Sequence, residues 1–403
     1  MAGRTPLAGR LPSFPWDSLV AARERASAHP DGLVDLSMGT PVDPTPAVVR
    51  DALAAAADSP GYPLTAGSTQ LRSALTDWVR RRCGAAGDVG VLPVIGTKEI
   101  VAWLPTLLGL GPGDVVAYPR LAYPTYEVGA RLAGAEPVAG DSLTALGPAP
   151  VGLLWLNSPS NPTGRVLPDA HLRKSLDWAR ERGAVVASDE CYLELGYEPV
   201  PGSESASASA LALARDAAPD AAPVAASEAV AAPGAVAGSA PVSVLSVCDG
   251  DYSGVLAVHS LSKRSNLAGY RAGFVAGDPA LVAELLAVRK NAGMIVPAPV
   301  QAAMIAALSD DRHVAEQRER YAARRTALWS ALEGAGFRIE HSEAGLYLWA
   351  TRDEDCWRSV DWLAERGILV APGAFYGDAG AHHVRVALTA TDARVAAAVT
   401  RLG

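Results

Sequence analysis

Residues 260–273 read S-L-S-K-R-S-N-L-A-G-Y-R-A-G, with a single lysine, Lys263, and Arg271 eight positions on between Gly269 and Gly273. An apolar run, residues 255–259, leads into this stretch and predicts a buried strand. A lysine at the end of such a strand is partly desolvated, which favours a neutral, nucleophilic amine. Ser260 and Ser262 offer hydroxyls and Arg271 a fixed cationic fork, a set that suits a phosphate. The simpler alternative is a surface lysine and arginine on a loop, so other parts of the chain must supply the rest of a site.

Gly96-Thr97-Lys98 lies where one predicted strand ends and a helix begins, and the free amides of a helix N-terminus bind anions. An ordinary helix start capped by Thr97 is the alternative. Asp189 follows another apolar run, residues 184–188, which places a carboxylate at the carboxyl end of a strand. A buried carboxylate there can hold a proton on a pyridine nitrogen. With a Schiff-base lysine and a phosphate anchor, that is what pyridoxal phosphate requires. Asn161 and Tyr192 could hydrogen-bond the ring's phenolic oxygen, and Tyr123 could stack on its face. Taken singly, the two tyrosines read more simply as structural aromatics. Arg385 sits in H-H-V-R-V-A-L, a strand pattern in which a charge is costly unless paired. It either forks onto a substrate α-carboxylate or lies on a solvated strand face.

These groups need a scaffold that brings strand ends together. From residue 92 onward strand and helix patterns alternate, which favours a mostly parallel α/β sheet. Strands are expected at 34–38, 92–96, 114–118, 152–156, 184–188 and 255–259. Helices are expected at 46–57, 68–83, 97–108, 126–133, 169–182 and 281–290. A long helix at 313–334, strands at 337–340, 346–350, 368–371 and 383–388, and a helix at 357–366 predict a second, α+β lobe. The domains expected are an N-terminal arm and helix (1–33), a large domain (34–285) and a small one (286–403). Residues 201–240 stand apart: 17 of the 40 are alanine and none is aromatic. Such a segment cannot bury enough apolar surface to order itself and reads as a disordered surface insertion.

The 403 residues exceed one ordinary core. The net charge of −8 and the lack of any basic block argue against nucleic acid or an anionic membrane as partner. Cys83, Cys191, Cys248 and Cys356 are widely scattered, with no C-x-x-C spacing, so no metal is expected. They read as free thiols in a reducing cytoplasm, in keeping with an opening that has no apolar signal segment. The most apolar stretch, residues 101–110, is too short to span a bilayer.

The combined set, Asn161-Pro162-Thr163-Gly164, Asp189-Glu190-Cys191-Tyr192, Ser260-Leu261-Ser262-Lys263 and Arg271, resembles the fold-type I pyridoxal-phosphate aminotransferases of classes I and II. The likeness runs from residue 33 to 402 apart from the alanine-rich segment. It implies a large domain with a mostly parallel seven-stranded sheet and a smaller α+β domain. By position, Lys263 resembles the cofactor-bearing lysine, Asp189 the partner of the ring nitrogen, and Asn161 and Tyr192 the ligands of the ring oxygen. Gly96, Thr97 and Lys98 (through backbone amides), Ser260 and Arg271 resemble the phosphate cup. Tyr123 resembles the stacking aromatic, and Arg385 the α-carboxylate clamp with Gly39 near it. Tyr62 resembles the tyrosine that reaches the phosphate of a neighbouring subunit, which implies a homodimer with shared sites. L-P-S-F-P-W-D (11–17) and V-D-L-S-M-G-T-P-V-D-P (34–44) look like the opening of actinobacterial succinyldiaminopimelate aminotransferases. That implies lysine and diaminopimelate synthesis with glutamate as donor and 2-oxoglutarate as its product. The alternatives are another amino-acid specificity (aspartate, aromatic or LL-diaminopimelate), β-elimination on the same cofactor, and a regulator with an aminotransferase-like domain.

Overall fold

The computed structural model describes residues 6–200 and 241–403. The expected disordered insertion lies outside the described residues.

A seven-stranded sheet forms the larger body. Its strands are β2 (Gly90–Val94), β3 (Val115–Tyr118), β4 (Glu136–Ala139), β5 (Val151–Asn157), β6 (Val185–Asp189), β7 (Val255–Ser260) and β8 (Gly273–Gly277). Their order is β2-β8-β7-β6-β5-β3-β4. Only β8 runs against its neighbours, β2 and β7; the remaining pairs are parallel. Every residue of β7 and β8 is buried, which explains why residues 255–258 read as an unbroken apolar run rather than an alternating one.

Helices cover both faces of this sheet. On one lie α4 (Thr97–Leu107), α5 (Thr125–Ala133) and α8 (Pro279–Ala292). The other carries α2 (Ala47–Ala55), α3 (Thr69–Cys83), α6 (Asp169–Arg180) and α9 (Ala298–Ser309). Ser68 Oγ accepts from the Leu71 amide and so caps α3 where the S-T-Q-L pattern predicts a start. The lysine turn itself is α7 (Leu261–Arg264), a single turn.

The second body packs α1 (Val20–Ser27), α10 (Arg312–Gly334), α11 (Cys356–Glu365) and α12 (Asp392–Leu402) around two small sheets. One pairs β1 (Val34–Asp35) with β11 (Ile368–Leu369). The other has the order β12-β13-β10-β9, built from β9 (Arg338–Glu340), β10 (Tyr347–Thr351), β12 (Ala371–Pro372) and β13 (His383–Ala387). Val34 and Leu36 join this second core although they open the 34–285 segment. Helix α9 joins the first core although it falls within 286–403.

Several elements go beyond the expected set. Edge strand β4 carries Pro137, which a ladder tolerates only at an edge, and so lacks the usual strand signature. Strand β8 is short and flanked by glycines. Helix α9, A-P-V-Q-A-A-M-I-A-A-L-S, is apolar around most of its surface and offers no stripe to read. Helix α12 closes the chain. The strand expected at 368–371 is two short ones in different sheets. None of the described helices is long and apolar enough to cross a membrane.

Trp155, fully buried in the middle of β5, stacks on Tyr126 of α5 with ring centroids 4.9 Å apart. Trp155→Ala should cost about 4 kcal/mol through the cavity left behind. Trp155→Phe should cost less than half of that, because the indole N–H has no hydrogen-bond partner among the described residues. Urea unfolding of the two variants would check the ranking.

Candidate active site

The strand ends converge on one edge of the large sheet. Strands β2, β5, β6 and β7 all point their carboxyl ends there, and antiparallel β8 begins there. This delivers Gly96-Thr97 after β2, Asn161 after β5, Asp189 at the end of β6, Lys263 just past β7 and Arg271 just before β8. It is the usual place for a ligand in an open α/β sheet.

Lys263 Nζ donates to the Gly39 carbonyl. Gly39 must be small: a Cβ there would lie 2.0 Å from the Tyr347 hydroxyl oxygen. Tyr347 in turn shares a 3.1 Å hydrogen bond with Tyr192. Burial pushes Tyr347 up, but the nearby charges of Arg385 and Lys263 outweigh it, and its phenol ends below the ordinary value. Burial and then the adjoining Tyr347 phenol hold Tyr192 well above it. Tyr347 was not read as a site residue from the sequence. Its only signal is G-L-Y-L-W, a strand whose register places Trp349 opposite Arg385 and Tyr347 one step diagonal to it on the same face.

Arg385 is 2% exposed, so the solvated-face alternative is excluded. It donates to Asn161 Oδ1 (2.9 Å) and to the Ser37 carbonyl (2.7 Å). Its guanidinium lies over the Tyr347 ring at 3.9 Å and the Tyr376 ring at 4.9 Å. Its Nε, also buried, has no hydrogen-bond partner among the described residues.

Asp189 is buried at 6% exposure and has no ion-pair partner among the described residues. Its Oδ2 accepts from the Tyr126 hydroxyl at 2.9 Å and its Oδ1 from the Cys191 amide at 3.2 Å. Burial raises its pKa; the hydrogen bonds from Cys191 and Tyr126 and the charge of Lys263 pull the other way without cancelling it. Tyr126 is a second site residue that the sequence reading passed over. Tyr123 packs edge-on against Tyr126, and burial pushes its phenol up to about 12.

At the phosphate corner, Gly96 adopts φ +72° and caps α4, which starts at Thr97. A Cβ on Gly96 would meet Arg271 Nη2 at 2.3 Å, so the arginine lies directly against the helix start. Arg271 is exposed, with φ +56°, and its Nη1 donates to the Ala268 carbonyl at 2.9 Å. Thr97 Oγ1 accepts from the Cys191 thiol at 3.4 Å. Ser260 Oγ, buried, caps α7 by accepting from the Ser262 amide. The Lys98 side chain instead points to the Phe14 ring, 5.4 Å from its centroid, leaving only its amide at the helix start. Tyr62 is fully exposed, so this chain alone gives it no packing partner.

The family model for aminotransferase class I and II matches residues 31–402. The chain belongs to that family. This aminotransferase is 59% identical to a probable aminotransferase of Mycobacterium tuberculosis over 99% of this chain and 87% of the relative. It is 57% identical to the 4-dedimethylamino-4-oxo-anhydrotetracycline transaminase of Streptomyces rimosus, over 97% of this chain and 99% of that one. Among solved structures, a probable N-succinyldiaminopimelate aminotransferase of Thermus thermophilus matches with a TM-score of 0.79 at 26% identity. That match covers 96% of this chain and 99% of the other.

Enzymes of this family depend on pyridoxal phosphate, and the residues present fit it. The uncompensated buried carboxylate of Asp189 suits a protonated ring nitrogen. The free α4 amides beside the exposed Arg271 guanidinium suit a phosphate, and Lys263 offers an amine.

Behind Asp189, Glu190 is buried with Cys83 and His259, from three separate elements, all within 4.8 Å of one another. Burial drives the His259 pKa down to about 3, keeping the ring neutral, and pushes the Cys83 thiol well up. His259 packs edge-on to Trp78, 5.0 Å between centroids. Glu190 Oε1 accepts from Ser188 Oγ and the Val244 amide, yet burial still raises its pKa from 4.5 to about 7. A carboxyl raised in the folded state stabilises fully below about 4.5, and that contribution is lost as pH rises through about 7. Relative to Glu190→Gln, the wild-type melting temperature should therefore fall as pH is raised from 4.5 to 7.5, as thermal melts across that range would show.

Proposed function

We propose that this aminotransferase carries an amino group from glutamate to N-succinyl-2-amino-6-ketopimelate, releasing 2-oxoglutarate and N-succinyldiaminopimelate. The observation that carries amino-acid recognition is Arg385, a buried guanidinium packed over the Tyr347 ring, whose Nε has no hydrogen-bond partner among the described residues. A substrate α-carboxylate supplies the anion that this pocket lacks. The succinyl acceptor is supported by the opening segments at 11–17 and 34–44 and by the likeness to the Thermus thermophilus enzyme. A second reading rests on the 57% identity with the Streptomyces rimosus enzyme: a fused-ring ketone as amino acceptor.

The geometry and the family resemblance together support the following residue roles. Bound pyridoxal phosphate supplies an electrophilic carbon and an electron sink. Asp189, held by Tyr126 and the Cys191 amide, would keep the proton on its ring nitrogen. The amides at Gly96-Thr97-Lys98, with Ser260 and Arg271, would hold its phosphate. By the family resemblance, Tyr123 would stack on its ring and Asn161 and Tyr192 would hydrogen-bond its phenolic oxygen. Lys263 Nζ would take the proton from the substrate Cα as general base and deliver it, as general acid, to the cofactor carbon that carried the aldehyde, so that hydrolysis leaves the amino group on the cofactor. Arg385 orients the substrate so that this Cα–H faces Nζ. Members of the family usually form homodimers, and the exposed Tyr62 and Leu64 suit a partner's site, with Tyr62 reaching the partner's phosphate.

Lys263→Ala should bind the cofactor without the lysine–imine absorbance near neutral pH, a change that a spectrum reads directly. Arg385→Lys should raise KM for both amino and keto acid about 100-fold with a smaller fall in kcat, since one point charge replaces a fork. In single turnovers, glutamate should convert the cofactor to its amine form, and N-succinyl-2-amino-6-ketopimelate should restore the aldehyde. If that acceptor leaves the amine form unchanged while a fused-ring ketone consumes it, the second reading holds.

A further inference from the structure

The turn that carries Lys263 is held at its far side by a chain of polar groups that the chemistry above does not use. Asn266, three residues after the lysine, sits in the left-handed region at φ +54°. Asparagine tolerates that conformation better than most residues. Its amide Nδ2 donates to Gln317 Oε1 of α10 at 3.0 Å and to the Pro44 carbonyl at 3.3 Å. The Asn266 carbonyl accepts from Thr45 Oγ1 at 3.2 Å. Gln317 Nε2 passes on to Asp43 Oδ2 at 2.8 Å. Asp43 is gripped by both terminal nitrogens of Arg324, at 2.7 and 2.8 Å, and Arg324 Nε reaches Asp392 of α12 at 2.7 Å. Gln317 and Arg324 are buried, so the bonds linking Asn266, Gln317, Asp43 and Arg324 are partly shielded from water, while the contacts to the Pro44 carbonyl and Asp392 lie at the surface.

The other end of the same strap lies in the site. Between Leu36 and Asp43 the chain gives its Ser37 carbonyl to Arg385, its Met38 carbonyl to Thr389 and its Gly39 carbonyl to Lys263. Segment 37–45 therefore touches the lysine amine at one end and the lysine turn at the other. Both ends are tied to the second body, through Arg385 and through α10.

We propose that Asn266 and Gln317 are positioning residues: their hydrogen-bonded chain to Asp43 fixes the backbone of the turn that presents Lys263 and Arg271. This rests on the reading of Lys263 as the cofactor-bearing lysine. The chain acts on two groups at once, because residues 263–271 also place the Arg271 fork against Gly96. Releasing the turn therefore loosens the phosphate anchor and moves the amine together.

The experiment uses the cofactor-loaded enzyme and three variants: Asn266→Gly, which keeps the left-handed backbone but loses the amide, Gln317→Leu on a different element, and the double variant. Each is measured for cofactor dissociation constant, for the pH midpoint of the lysine–imine absorbance, and for melting temperature without cofactor. Each single variant is expected to weaken cofactor binding about tenfold and to shift the pH midpoint. The double variant should be no worse than the worse single one, because both cut one chain. Unchanged binding and midpoint in the two single variants would overturn the proposal, and so would effects that simply multiply in the double one. A lower melting temperature with unaltered binding and midpoint would also overturn it, since that marks a structural role alone. If wild-type protein shows no imine absorbance that Lys263→Ala abolishes, the reading of Lys263 itself falls, and the proposal with it.

Discussion

A guanidinium buried among tyrosines governs much of this molecule. Among the described residues no carboxylate reaches Arg385; it is held by one amide oxygen, one backbone carbonyl and the faces of Tyr347 and Tyr376. Removing such a cation from water is costly, and neutral acceptors and ring faces offset only part of that cost. The remainder is recovered when an anion arrives, so the pocket is strongest for ligands that bring a carboxylate. The arrangement also ties the two bodies together. Asn161 follows β5 of the large sheet, Ser37 lies beside β1, and Arg385 belongs to β13 of the second body. A single side chain thus joins the two bodies, and on the proposed reading it also meets the substrate.

Around that cation the electrostatics are graded. Lys263 and Arg385 flank Tyr347 and favour its ionised form, while Tyr192, its hydrogen-bond partner, is held firmly protonated by burial. The two phenols share one hydrogen bond and are pushed in opposite directions. Across the site Asp189 pays for burial with a raised pKa that a neighbouring cation would reverse. Anion-seeking groups at one end and an unpaired carboxylate at the other give the cleft a polarity that matches a zwitterionic cofactor and an amino-acid substrate.

Much of this was legible in the sequence because the chemistry sits at strand ends. Asp189, Lys263 and Gly96-Thr97 each follow an apolar run, and a period change from strand to helix marks the edge of the sheet. Asn161 and Arg385 stood out by residue type. What was not legible arrives by packing. Tyr347 reaches the site through the register of β10 on β13, and Tyr126 through the docking of α5 on β5, where it stacks on Trp155 and still reaches Asp189. No local spacing announces either. The same holds for the cores: Val34 and Leu36 join the second body by pairing with a strand more than three hundred residues on, a contact that a domain division read along the chain cannot contain.

The strap at 37–45 explains why such distant pieces act as one. It is irregular, yet its carbonyls are used in succession, by Arg385, Thr389 and Lys263. A strand or helix would have spent those acceptors on its own ladder. An irregular segment leaves them free to point at side chains, at the cost of needing other ties to stay ordered. Asp43, locked by Arg324 and Gln317, and Thr45, bonded to the Asn266 carbonyl, provide those ties. The absence of regular structure at this point is thus what lets one short stretch of backbone face Arg385, the Lys263 amine and the turn that carries it.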